Sequence, residues 1–155
     1  MSRSHDYGVY AAALAAVCIG LCPAVGRAAL GDSIASVQAD GAHMKAQIRA
    51  TTAASYTVHE LLLPTGTTVR EYLSPTGAVF AVSWQGPFKP DLRQLLGQYF
   101  DAFVAAPREA ASTRSHMTLR TGTLVVHSDG HMRAFTGLAY APQLVPAGVD
   151  PEGLQ

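Results

Sequence analysis

Apolar positions recur at helical spacing in one long stretch of the chain and alternate with polar ones in several short stretches. Over 91–106, Leu92, Leu95, Leu96, Tyr99, Phe100, Phe103 and Val104 repeat every three or four residues. That spacing predicts the main amphipathic helix. Asp91 stands where a carboxylate complements a helix N-terminus, and Pro107 stops the helix. A looser pattern of Ile34, Val37, Ala42, Met44 and Ile48 predicts a short N-terminal helix within 32–50, capped by Asp32 or Ser33. Gly41 in its middle costs about 1 kcal/mol relative to alanine and works against its length. Residues 51–55 read as a loop.

Alternation takes over at 56–63, 67–74 and 78–84, which predicts three strands. Between them stand two identical triplets, Pro64, Thr65, Gly66 and Pro75, Thr76, Gly77. Proline presets the first turn position and glycine takes the left-handed third one, so each triplet predicts a three-residue hairpin loop with a glycine bulge. The triplets lack the residue that a Leu-Pro-x-Thr-Gly sorting signal places between proline and threonine. Counting back from the loops puts Glu60 opposite Arg70, Tyr72 opposite Phe80 and Arg70 opposite Val82. Tyr56, Val58, Tyr72, Phe80, Val82 and Trp84 then share one face with Glu60 and Arg70, and that aromatic face is expected to pack on the 91–106 helix. A C-terminal hairpin is expected from strands 118–127 and 131–140, turning at Ser128, Asp129 and Gly130. The fold class is α+β: an antiparallel sheet, made of a three-strand meander and a hairpin, on one main amphipathic helix.

The N-terminus changes where this domain is expected to work. Arg3 and His5 precede an apolar run over 9–22, Pro23 breaks the run, and Gly26 and Ala28 offer small residues at −3 and −1 of a cleavage site. The run is shorter than the roughly 20 residues of a membrane span. A signal peptide over 1–28 is expected, with cleavage after Ala29 as the alternative, then a single domain over 29–145 and a Pro-rich tail over 146–155. Both cysteines, Cys18 and Cys22, leave with the signal, so neither disulfide nor thiolate chemistry is expected. The whole chain has 11 Lys+Arg and 11 Asp+Glu. Without a basic excess, nucleic acid is not an expected partner. No later stretch reaches membrane-spanning length.

Two groups of residues are candidates for chemistry. Glu60 and Arg70, predicted to face each other beside Trp84, could bind a charged ligand or form a structural cross-strand ion pair. His127 and His131, predicted to flank the turn with Asp129 between them, could offer ligands to a divalent metal, although catalytic zinc takes three protein ligands. No Gly-x-Ser-x-Gly elbow is present.

The blocks "VREYLSPTGAVFAVSWQGP" and "GHMRAFTGLAYAPQ" resemble a family of small exported bacterial proteins, domain of unknown function 2844. The resemblance implies export in a Gram-negative bacterium and brings no activity, cofactor or site residue. The resulting expectation is an exported, non-catalytic binding or accessory protein of the periplasm or envelope. Its partner would be an envelope protein or a small ligand, with no cofactor. Two other classes stand beside it: a small metal-dependent or hydrolytic enzyme using His127, Asp129 and His131, and an envelope structural or interaction protein.

Overall fold

The structure, a computed structural model, describes residues 30–107, 113 and 115–154. The expected signal peptide and most of the polar loop after Pro107 lie outside the described residues. Among the described residues seven antiparallel strands form one sheet: β1 (Gln47–Thr52), β2 (Thr57–Leu62), β3 (Thr68–Leu73), β4 (Val79–Gly86), β5 (His116–Arg120), β6 (Val125–His131) and β7 (Ala134–Tyr140). Their order is β1-β2-β3-β4-β7-β6-β5. Two meanders therefore meet where β4 pairs with β7. The α+β class holds, and the sheet is larger than a three-strand meander plus a hairpin.

The first extra strand comes from residues expected to be the end of a helix and the start of a loop. Helix α1 (Ile34–His43) ends early, and the chain turns into β1. Ala46 N–H donates to the Gly41 carbonyl at 2.8 Å and Lys45 N–H to the Ala42 carbonyl at 3.3 Å. This is a Schellman ending. Lys45, not a glycine, holds its left-handed position, at φ 52°. Ile48 then packs where Gly41 lacks a side chain, so helix and strand lie close together.

Both Pro-Thr-Gly loops form as their composition predicts. Gly66 and Gly77 sit at φ 82° and 83°. Gly66 N–H donates to the Leu63 carbonyl and Gly77 N–H to that of Ser74, at 2.9 and 2.8 Å. Glu60 lies opposite Arg70, as predicted. The register expected after the second loop is wrong by one residue. A bulge at Tyr72/Leu73 sets Tyr72 opposite Ala81 and Arg70 opposite Ser83. Side chains alternate along a strand, so this shift sends Val82 and Trp84 to the other face.

That reversal decides what each face buries. On the helix side, Leu61, Val69, Val79, Val82 and Trp84 pack with Val37, Leu95 and Leu96. On the opposite side, Tyr72, Phe80, Val125, Leu138 and Tyr140 pack with Val145 and with Val149 and Leu154 of the C-terminal tail. The aromatic group of Tyr56, Tyr72 and Phe80, with edge contacts of 5.9 and 6.1 Å from Tyr56, lies under this tail and not under the helix. The helix expected over 91–106 is itself broken at Gly97, where φ is 47°, into α2 (Leu92–Leu96), a 3-10 turn and α3 (Phe100–Ala105). Asp91 caps α2 by accepting from the Arg93 and Gln94 amides.

The C-terminal turn also lies elsewhere than expected. Ser128, Asp129 and Gly130 continue β6, and the reversal falls at Met132 and Arg133, with Arg133 at φ 62°. Gly130 is needed for close approach: the Phe135 ring occupies the space of its missing side chain. The segment expected as one strand over 118–127 is two, β5 and β6, divided by a turn in which Thr121 Oγ1 accepts from the Thr123 and Leu124 amides.

Candidate functional site

The register lays polar side chains in rows across the tail face of the sheet. One row runs Glu60, Arg70, Ser83, Leu138, His127 and Thr118. The next runs Gln85, Thr136, Asp129 and His116. Between β3 and β6 these rows leave a cleft of about 110 Å³, lined by Arg70, Ser83, Gln85, His127, Asp129 and Thr136, with Glu152 of the tail at its edge. Ser83 is buried in its floor, its hydroxyl 3.3 Å from that of Tyr72.

Arg70 Nε donates to Glu60 Oε2 at 2.9 Å. Both side chains are partly exposed, so the pair contributes less than about 1 kcal/mol. Its larger effect is to orient the guanidinium at one end of the cleft. At the other end a hydrogen-bonded chain crosses β5 and β6. Asp129 Oδ1 lies 2.5 Å from His116 Nδ1, and Thr118 Oγ1 lies 3.4 Å from both His116 Nε2 and His127 Nδ1. His127 Nε2 is 3.2 Å from Glu152 Oε2. Glu152 also accepts from the Tyr140 hydroxyl at 2.8 Å and pairs with Arg120 at 3.2 Å. Burial alone would raise the Glu152 pKa, but the Tyr140 hydroxyl, the His127 ring and the Arg120 guanidinium together hold it below its ordinary value. Burial, then the adjoining Glu152 carboxylate, pushes the Tyr140 phenol up.

The order acid, imidazole, hydroxyl in Asp129, His116 and Thr118 is that of a nucleophile relay. Its geometry argues for a structural role. Thr118 is only 8% exposed and is not among the residues lining the cleft. Both ring nitrogens of His116 and of His127 are engaged by neighbours, which fixes the rings.

The structure brings the sequence candidates together only in part. Glu60 and Arg70 form the predicted pair. Trp84 borders the cleft floor, yet its indole is buried in the helix-side core against Gly137. His127, Asp129 and His131 alternate along β6 and so face one way, but His127 turns to Glu152, Asp129 to His116, and His131 stands exposed at the strand end. Among the described residues no group of three or more His, Cys, Asp or Glu side chains converges for a metal. Sequence reasoning missed His116, Thr118 and Glu152. Polar residues at 116, 118 and 120 alternate with apolar ones and mark a strand face. Nothing local marks Glu152, which reaches its partners only through the folded tail.

A second polar group lies on the helix side. Glu71, 1% exposed, hydrogen-bonds the fully buried Asp40, and Gln94 Nε2 donates to Asp40 Oδ1. Burial, then the Asp40 carboxyl, pushes the Glu71 pKa up to about 8. His59 pairs with Glu71 across β2 and β3, and burial lowers its pKa. This group is sealed between α1, α2 and the sheet, away from the tail-face cleft.

A family model described as "Protein of unknown function (DUF2844)" matches residues 26–154. The match spans both meanders and the tail through Leu154. No curated protein and no solved structure matches the chain. Among the described residues no helix is long and apolar enough to cross a membrane.

Proposed function

The chain belongs to the DUF2844 family of proteins of unknown function, and we propose that it is an exported, non-catalytic binding protein of the bacterial periplasm or envelope whose site is the cleft between Arg70 and His127. The observation that carries this reading is the convergence of six polar side chains from four adjacent strands on one small concavity. Sites built on strands are held more rigidly than sites on loops. The imidazole that lines it, His127, already has both nitrogens engaged, which favours recognition over proton transfer. Export rests on the leader-like pattern of residues 1–28.

A ligand screen on the purified protein tests the reading by thermal shift. A small polar compound should raise the melting temperature, and Thr136→Phe should abolish the effect. Thr136 is exposed and lines the cleft, so phenylalanine fills the site without entering the core. Stabilisation that survives in Thr136→Phe would move the site elsewhere.

An interaction role is favoured by one specific observation. All six residues of edge strand β1 are exposed, Ile48 among them. An open edge of this kind can pair with a partner's strand.

A further inference from the structure

The tail-face cleft carries opposite charges at its two ends, and this deepens the reading of it as the binding site. Arg70 stands on β3 at one end, while Asp129 stands on β6 at the other, and Glu152, held by His127, also lines the cleft. Strands β4 and β7 lie between. Three strand spacings separate the ends, on the order of 14 Å between backbones. The floor between them offers neutral hydrogen-bonding groups: the Ser83 hydroxyl, the Gln85 amide and the Thr136 hydroxyl.

Each end keeps capacity beyond its internal pair. Arg70 uses Nε for Glu60, and a guanidinium has further N–H donors. Asp129 uses Oδ1 for His116, and a carboxylate has further lone pairs. A lone anion drawn to Arg70 meets two carboxylates at the far end. A lone cation drawn to Asp129 meets the guanidinium. A ligand with both charges satisfies both ends.

We propose that the cleft binds small amino-carboxylate zwitterions, the carboxylate toward Arg70 and the ammonium toward Asp129. The volume sets the size. The cleft offers about 110 Å³. That is well under the roughly 300 Å³ at which drug-sized pockets begin. Glycine, β-alanine and γ-aminobutyrate are of the right class and differ in the separation of their charges.

The purified protein, isotope-labelled for NMR, is titrated with these three compounds, and separately with acetate and methylammonium. The amides of Ser83, Gln85 and Thr136 should shift with at least one amino-carboxylate and respond far less to either single-charge probe. Arg70→Gln and Asp129→Asn should each weaken binding about tenfold or more, the loss of one charged hydrogen bond. The spectrum of each variant away from the cleft shows whether it is folded. Acetate binding as well as glycine, unchanged in Asp129→Asn, would overturn the dipolar assignment and leave the cleft as an anion site. Cleft amides unmoved by every probe would also overturn it, while the thermal-shift screen decides separately whether the cleft binds another ligand.

Discussion

The Glu71 carboxyl meets that of Asp40 in the buried layer between β3 and α1. Two carboxylates cannot both ionise there without a large cost, so the pair retains a proton that the unfolded chain releases. Folded Glu71 titrates near 8 against 4.5 when unperturbed. Between those values the native state binds more protons than the unfolded state, and stability falls as pH rises. The slope is up to about 1.4 kcal/mol per pH unit. The contribution is fully present below about pH 4.5 and lost above about pH 8. His59, which faces Glu71, acts oppositely: its lowered pKa makes stability fall as pH drops below about 6.5. Denaturant melts across pH 5–9 should show the alkaline loss. Glu71→Gln should flatten it and raise stability at the alkaline end. An unchanged slope in that variant would remove Glu71 as its source.

The indole of Trp84 occupies the space that a side chain at Gly137 would need. Trp84 is 2% exposed, so an added methyl must displace a packed side chain. Gly137→Ala should therefore destabilise by about 1–3 kcal/mol through overpacking. Gly122→Ala, in the turn after β5 with nothing within 4 Å of the new Cβ, should stay within about 0.5 kcal/mol. Trp84 is the sole tryptophan, so its fluorescence follows both unfolding and the local contact. Equal stability of the two variants would mean that the close approach is absent.

Gly77 needs its backbone conformation, not space. It sits at φ 83°, and nothing lies within 4 Å of the place a Cβ would take. Gly77→Val should cost about 1–3 kcal/mol of strain. Gly77→Asn should recover much of that, because asparagine tolerates the left-handed region. Thermal denaturation of the pair separates conformation from crowding, which would penalise both residues alike.

These positions also show how far local chemistry reaches. The Pro-Thr-Gly loops were legible because a turn is specified by its own residues. The pairing of Glu60 with Arg70 followed from the first loop by counting. The count failed past Tyr72, where one bulged residue, invisible in composition, exchanged the faces of Val82 and Trp84. The end of α1 was hidden because Lys45 holds a position that usually announces itself as glycine. The turn at Met132 and Arg133 was hidden for the converse reason: Gly130 is a glycine in a strand, kept for contact with Phe135. Of the candidate site, Arg70 could be read from pairing. Ser83 needed the bulge, and Glu152 needed the tail's return across the sheet, which no periodicity encodes.

That return is held by two anchors of different kind. Glu152 binds Arg120, His127 and Tyr140, but its side chain is 43% exposed and water screens the ionic part. Leu154 is 5% exposed among Tyr72, Phe80 and Tyr140. Apolar burial should therefore outweigh the ion pairs in docking the tail. Leu154→Ala should destabilise by about 2 kcal/mol or more, as a buried large-to-small change. Glu152→Gln keeps an acceptor for Tyr140 and should cost about 1 kcal/mol, less in high salt. Hydrogen exchange at the Leu154 amide, which bonds the Pro151 carbonyl at 3.2 Å, reports release of the turn directly. It should accelerate more in Leu154→Ala than in Glu152→Gln. The reverse order would mean that the charges dock the tail, and moderate salt should then free it.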